Sequence, residues 1–276
     1  MIVHLLDGTY ELFRHFYGIR RFKKTDPPLG AVSGVLSTVA QMIDEGATHI
    51  GVATDHVIES FRNKLWAGYK TSAGMERALL AQFVPLEESL LAMGVTVWPM
   101  VELEADDALA SAAYLASLDE RVEKICIWTP DKDLAQCVVG DRVVQVDRRS
   151  GTIRNAEGVR AKFGVEPKFI ADYLALVGDT ADGYPGIAGC GPKTAAQLIN
   201  RYGALEEFPA SVFSEENRRL ALLCKELAIL KTDAPLFDDV DELRWRGPTP
   251  EFNAVGEKIG NKSLMTKVRK LERNLG

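Results

Sequence analysis

The stretch Lys124-Ile125-Cys126-Ile127-Trp128-Thr129-Pro130-Asp131-Lys132-Asp133 is an apolar, β-branched run that stops at a proline and two carboxylates. That is the pattern of a strand running into a turn. Outward from it the construction repeats: residues 2–6 stop at Asp7, residues 49–54 stop at Asp55, and residues 95–98 form a fourth short run. Between these runs lie helix-like stretches at 31–45, 75–93 and 104–118. The last carries Ala105, Ala108, Ala110, Ala112 and Ala113, small side chains suited to close packing. Strands alternating with helices predict an α/β chain with a largely parallel sheet. The ligand crevice of such a sheet lies beyond the carboxyl ends of its strands, where Asp7, Asp55 and Asp131 fall.

After about Gly164 the pattern changes to helices at 167–177, 192–202 and 215–230, with a glycine-rich turn over 183–191. This predicts a second, helical subdomain over 165–276, behind a sheet-bearing domain over 1–164. An apolar stretch at 234–245 and a basic helix at 262–273 close the chain. With 276 residues, 46% of them hydrophobic and 26% charged, the protein can bury a core, which excludes a disordered chain. Cys126, Cys137, Cys190 and Cys224 are scattered without a Cys-x-x-Cys pair, so neither a zinc knuckle nor a redox motif is written here. No leader pattern opens the sequence and no apolar stretch approaches the ~18 residues of a membrane span. A soluble, cytoplasmic protein is expected.

Nine acids fall in five clusters: Asp7; Asp55; Glu104 with Asp106 and Asp107; Asp131 with Asp133; Asp179 with Asp182. Discounting them turns the net charge of -6 into +3, so the acidic total does not exclude a nucleic-acid partner. Taken singly, Asp7 reads as a turn or helix cap, and Glu104 to Asp107 as acids of a first helical turn. Together they are harder to explain as caps. Crowded carboxylates repel one another unless a cation neutralises them, and an oxygen-rich set without His or Cys favours Mg²⁺ or Mn²⁺ over zinc. Glu104 and Asp107, three apart, are expected on one helix face with Asp106 displaced, and Asp179 and Asp182 share that spacing. Two ions about 4 Å apart would suit the two-metal route to phosphodiester hydrolysis.

Gly186, Gly189 and Gly191 precede Pro192, Lys193 and Thr194 at the start of a predicted helix. Glycines there allow a sharp turn, Pro192 suits a first helical position, and a helix N-terminus attracts anions. This is the helix-hairpin-helix pattern, which holds a duplex backbone without reading bases. The glycine spacing and Lys193 favour it over an ordinary helix-turn-helix packing element. No Walker A ending is present, so a nucleotide triphosphate site is not supported. Arg20, Arg21, Lys23 and Lys24 form a basic run, and Ser60-Phe61-Arg62 leads to Tyr69-Lys70. A charge run usually marks a solvated surface, and a single Phe61 is usually core, but Arg62 and Lys70 follow Asp55 where they could meet phosphate.

Leu6-Asp7-Gly8, Ala53-Thr54-Asp55, Ser60-Phe61-Arg62, Gly68-Tyr69-Lys70, Glu104-Ala105-Asp106-Asp107, Thr129-Pro130-Asp131-Lys132-Asp133 and Gly178-Asp179-Thr180-Ala181-Asp182-Gly183 together resemble the 5'-nuclease superfamily. That superfamily comprises the 5'-3' exonuclease domain of bacterial DNA polymerase I and the flap endonucleases. The resemblance extends to about residue 245. It implies a PIN-like, Rossmann-like core, an arch or clamp at about 66–93, and two metal groups. The first would be Asp7, Asp55, Glu104, Asp106 and Asp107; the second Asp131, Asp133, Asp179 and Asp182. It further implies phosphate contact by Arg62 and Lys70, DNA contact by Arg20, Arg21, Tyr69 and the hairpin residues Gly186, Gly189, Gly191, Lys193 and Thr194, and K⁺ at the hairpin. The implied activity is metal-dependent cleavage of 5' flaps, nicked or gapped duplex and 5' ends, with RNA–DNA hybrid as a further substrate. The protein would act as a monomer, apart from any membrane, beside a separate DNA polymerase. A non-catalytic DNA-structure binder is the alternative, and it predicts missing ligands where none is missing. An aspartyl-phosphate phosphatase, suggested by Leu6-Asp7-Gly8-Thr9, would need an acid at position 5, which is Leu5.

Overall fold

Both faces of the apolar runs are covered, the condition under which parallel strands are stable. The computed structural model describes residues 1–20 and 28–275. Strands β1 (Ile2–Asp7), β2 (His49–Asp55), β3 (Thr96–Met100), β4 (Lys124–Trp128), β5 (Val143–Asp147) and β6 (Thr152–Arg154) form one sheet in the order β3-β2-β1-β4-β5-β6. The first five are parallel, and β6 returns antiparallel to β5. The chain leaves β1 toward β2 on one side, and β4 lies on the other. The crevice between β1 and β4 is therefore the switch point of the sheet, and Asp7 and Asp131 stand at its carboxyl end.

Helices α1 (Gly8–Arg20) and α2 (Gly30–Asp44) cover one face, where Leu12, Phe16, Val35 and Leu36 pack with Leu6 and Val52. The short helices α3 (Arg62–Leu65) and α4 (Arg77–Leu80) lead to α5 (Phe83–Ala92). The opposite face is covered by α6 (Ala105–Ser117), whose Ala108, Leu109 and Ala112 meet Val3, Leu5 and Ile127. The small residues of α6 thus do what their composition implies. In the second unit, α7 (Ala156–Phe163), α8 (Ile170–Val177), α9 (Pro192–Tyr202) and α10 (Glu215–Ala228) enclose Leu174, Ile199, Leu205 and Leu227. Helices α11 (Phe252–Ile259) and α12 (Lys262–Arg273) complete the chain.

Three features depart from the sequence reading. The helix expected over 75–93 is broken between α4 and α5, because Pro85 has no N–H to give Ala81 and its ring crowds that carbonyl; it is accommodated in the first turn of α5 instead. Gln82, at the break, accepts from the backbone N–H of Ala31 and Val32 and so caps α2. Of the arch expected at 66–93, Leu79, Phe83, Leu86 and Leu90 are buried in the main core and Met75 packs against it, which leaves the rest of residues 66–76 as the part not committed to it. Finally, the tail does not stay with the second unit. Trp245, Phe252, Leu264, Val268 and Leu271 pack into the core of the sheet-bearing unit with Val32 and Leu86.

Candidate active site

Hydrogen bonds from the chain itself aim the carboxylates at the strand ends and in the loops beyond them. Asp7 accepts from the Tyr10 N–H at 2.8 Å and from Thr129 Oγ1 at 2.9 Å, which ties the end of β1 both to α1 and to the residue after β4. Asp55 accepts from the Ala105 N–H at 2.7 Å, while its own N–H donates to Thr9 Oγ1 at 2.8 Å. Asp131 accepts from the Asp133 N–H at 2.9 Å, and Asp179 from the Ala181 N–H at 2.9 Å, each closing an aspartate turn.

Oxygen atoms of Asp133, Asp179 and Asp182 lie within 4.8 Å of one another. Asp133 Oδ1 is buried without a hydrogen-bond partner. A buried carboxylate oxygen left unpaired among like charges is unfavourable by itself, and a hard divalent cation is the kind of group that would satisfy it. Electrostatics agree. Burial, then Asp131, Asp7 and the other acids, raise the Asp106 carboxyl well above its ordinary range. Burial, then Asp131, Asp182 and Asp179, do the same for Asp133. Burial pushes Asp7 up to about 7, with Asp55 and Asp131 adding to the shift. Burial also raises Asp55 and Asp182, against the opposing charge of Lys70. These residues fit a divalent cation.

Glu104 and Asp107 behave differently from the expectation that both point into the cleft. They form a reciprocal cap at the start of α6, and Asp107 accepts from the Glu104 N–H at 2.9 Å. That bond draws Asp107 back toward the helix end and away from the other acids. Its two oxygens then take Arg62 Nη1 and Nη2 at 2.7 and 2.8 Å. Arg62 is 1% exposed, with Nε donated to the Leu227 carbonyl and Nη2 also to that of Ile229. Arg62 and Asp107 are therefore a buried pair joining α3, α6 and the end of α10, with Glu104 Oε1 also 3.2 Å from Arg62 Nη1. Asp106, expected displaced from the Glu104–Asp107 face yet within the first metal group, is the one whose charge faces Asp7 and Asp131.

Lys70 stands between the two carboxylate groups, its Nζ 2.8 Å from Glu104 and 3.1 Å from Asp182. Glu104 also accepts from Ser60 Oγ at 2.6 Å. Burial would raise its carboxyl, but Lys70 and Arg62 outweigh it and hold Glu104 below its ordinary value. Tyr69, expected at a DNA surface, is 4% exposed and turns its hydroxyl to Glu104 at 3.3 Å. Its ring is spent in packing.

Residues 2–164 match the family described as 5'-3' exonuclease, N-terminal resolvase-like domain, and residues 165–251 match 5'-3' exonuclease, C-terminal SAM fold. The chain belongs to the 5'-3' exonuclease family. Its activity class is that of a nuclease. The 5'-3' exonuclease of Aquifex aeolicus is 31% identical over 98% of this chain and 96% of its own length. That of Buchnera aphidicola from Acyrthosiphon pisum is 30% identical over 85% and 88%. DNA polymerase I of Pseudomonas aeruginosa is 34% identical over 87% of this chain, which spans 28% of that larger protein. Among solved structures, T5 5'-exonuclease with bound zinc has the same fold, with a TM-score of 0.62 at 16% identity over 98% of both chains. The Rad2 catalytic core in complex with a DNA substrate gives 0.63 at 14% identity over 99% of this chain and 92% of its own.

Within this 5'-3' exonuclease fold the glycine-rich hairpin joins α8 to α9. Gly189 and Gly191 are exposed with open space where a Cβ would stand, and Lys193 and Thr194 lie exposed in the first turn of α9. Gly186 is different. It is buried at φ +67°, and a Cβ there would come within 2.3 Å of the Gly178 nitrogen, so it serves the crossing of the chain. Arg21, Lys23 and Lys24 lie outside the described residues, as does the side chain of Arg20 at the end of α1. The sequence reading assigned nothing to Lys132, whose Nζ is 2.5 Å from Asp179, although a lysine between Asp131 and Asp133 is itself a signal. Thr9, Ser60 and Thr129, which aim the acids, have no such signal, since their roles depend on contacts distant in sequence. Among the described residues, no helix is long and apolar enough to cross a membrane.

Proposed function

We propose that this family member is a structure-specific 5' nuclease that hydrolyses phosphodiester bonds of branched or 5'-ended DNA. Asp133, Asp179 and Asp182 would hold one divalent ion, and Asp7, Asp55, Asp106 and Asp131 are the carboxylates available to a second, with Mg²⁺ or Mn²⁺ favoured by an all-oxygen set. Bound there, such ions supply an acidified water and stabilise charge on the phosphate. The chain does the rest. Lys70 is placed between the groups, where an ammonium would offset charge gathering on the scissile phosphate. The exposed backbone of Gly189 and Gly191 with Lys193 would seat duplex phosphates without selecting sequence. No side-chain nucleophile is needed, and the expected products are a 5'-phosphate and a 3'-hydroxyl.

The observation that carries this reading is the convergence of Asp133, Asp179 and Asp182 around a buried oxygen with no protein partner. The reading extends to K⁺ at the hairpin, RNA–DNA hybrid as a substrate, and a cytoplasmic monomer working beside a separate polymerase. The decisive experiment is cleavage of a labelled 5'-flap duplex with and without Mg²⁺ by the wild type and by Asp133→Ala. Metal-dependent cutting by the wild type, reduced by about 100-fold or more in the variant, is the expected outcome. Equal cutting by both proteins, or by neither, rejects the proposal.

A further inference from the structure

Side chains alternate along a strand, so residues 54 and 56 leave β2 on the side opposite to residue 55. On that opposite side a single buried carboxylate holds both. Glu87 of α5 is 5% exposed; its Oε1 accepts from Thr54 Oγ1 at 2.8 Å, and its Oε2 lies 2.7 Å from His56 Nδ1. Thr54 is itself fully buried. On the crevice side, Asp55 is held by the Ala105 N–H and Thr9. The end of β2 is thus gripped from behind by one residue that touches neither the crevice nor the other acids.

We propose that Glu87 is a positioning residue for Asp55, acting through the backbone of residues 54–56 to set where that carboxylate stands in the crevice. The proposal rests on the nuclease reading and adds to it a residue on the helix that follows the 66–76 segment. Three facts distinguish this from incidental helix packing. A carboxylate is a poor choice for a buried helix–strand contact unless its hydrogen bonds matter, since desolvating it is costly. Both of its oxygens are used, on the two residues that flank one acid. Its helix is also rigidly seated, with Leu86 and Leu90 in the core and Gln82 bonded to α2, so displacement of Glu87 would be felt at β2 and little elsewhere.

Hydrogen-bonded supports behind metal-binding carboxylates typically contribute about 10- to 100-fold in affinity or activity. The test compares wild type, Glu87→Ala, Glu87→Gln and Thr54→Val in two assays. One is steady-state cleavage of a 5'-flap duplex; the other is Mn²⁺ binding to DNA-free protein by electron paramagnetic resonance. Glu87→Ala is expected to lower kcat by about 10- to 100-fold and to weaken Mn²⁺ binding by a similar factor, with KM for DNA within about 2-fold of wild type. Glu87→Gln keeps an acceptor for Thr54 and an amide for His56, and is expected to recover most of both. Thr54→Val removes one hydroxyl with little change of shape and is expected to lose an intermediate amount. Should Glu87→Ala fail to fold, the Gln and Val variants decide. Folded variants that melt at a lower temperature yet keep wild-type kcat and Mn²⁺ affinity would reduce Glu87 to a structural tie and overturn the proposal. A wild type that binds Mn²⁺ but cuts nothing would count against the nuclease reading instead, and the Mn²⁺ data would still judge Glu87.

Discussion

A carboxyl carried from water into a crevice of other carboxyls holds its proton harder, and for Asp7 burial moves the value from 3.8 to about 7. Between those values folded protein without metal keeps a proton that the unfolded chain has released, so stability falls as pH rises through that window. The full effect of this one group is on the order of 4 kcal/mol above pH 7. His4, lowered from 6.5 to about 4 chiefly by burial, works in the opposite direction below 6.5, so the comparison is best made against a variant that changes Asp7 alone. In EDTA, Asp7→Asn is expected to match wild type near pH 4 and to exceed it increasingly up to pH 7, as measured by urea unfolding. A constant difference across that range would show that Asp7 is not destabilised by its surroundings. Saturating Mg²⁺ should erase the gain. Arg62 and Asp107 call for the reverse treatment, because each neutralises the other out of water. Removing one partner leaves a buried charge without its main counter-charge, only Glu104 Oε1 at 3.2 Å remaining to Arg62, and costs about 3–5 kcal/mol. Arg62→Met and Asp107→Leu are each expected to lose that much stability, and the double variant to recover most of it. Singles that melt like wild type but lose DNA affinity would return Arg62 to the phosphate.

At the scale of elements, the parts legible in the sequence are those with a local cause. Strands β1, β2 and β4 were readable because an apolar run followed by an acid needs no distant partner to be recognised, and α9 because Gly191 and Pro192 mark its start. The hairpin of β5 and β6 has no such local cause beyond the turn at Ser150 and Gly151; β6 is three residues long and largely exposed, too short for alternation to show. Asp107, expected with Asp106 among the metal ligands, turns to Arg62 because a capping bond, not helical spacing, directs the third residue of a helix. The same helix-end physics makes the α8–α9 hairpin testable. Lys193 is exposed in the first turn of α9, where the free N–H groups already favour an anion. Lys193→Ala is expected to weaken duplex binding evenly across sequences and to lower the slope of log affinity against log salt by about one. An unchanged slope would mean that no phosphate sits at that lysine.

For the whole molecule, the question is which parts of the chain fold together. A boundary at 164 follows the change of pattern along the sequence, but the tail crosses it. Trp245 donates from Nε1 to the Met93 carbonyl at 2.8 Å, Thr249 N–H to Ala92 at 2.8 Å, and Asn261 Nδ2 to Ser33 Oγ at 2.8 Å. Beneath these bonds, Phe252, Leu264, Val268 and Leu271 complete the core over α2 and α5. No local pattern could announce this, because an amphipathic helix states that it has an apolar face and not which surface will cover it. Each such side chain contributes about 1.5–3 kcal/mol of burial, so the four together rival the 5–15 kcal/mol by which a domain is stable at all. Since α5 also carries Glu87 behind β2, loss of the tail should loosen the crevice as well as the core. A fragment of residues 1–164 is therefore expected to bind a hydrophobic dye, to melt without a sharp transition, and to lack measurable Mn²⁺ binding. A chain ending at 247 should behave nearly as badly despite retaining every acid of the crevice. A cooperative melt of the 1–164 fragment close to that of the full chain would show that the tail only decorates the sheet unit.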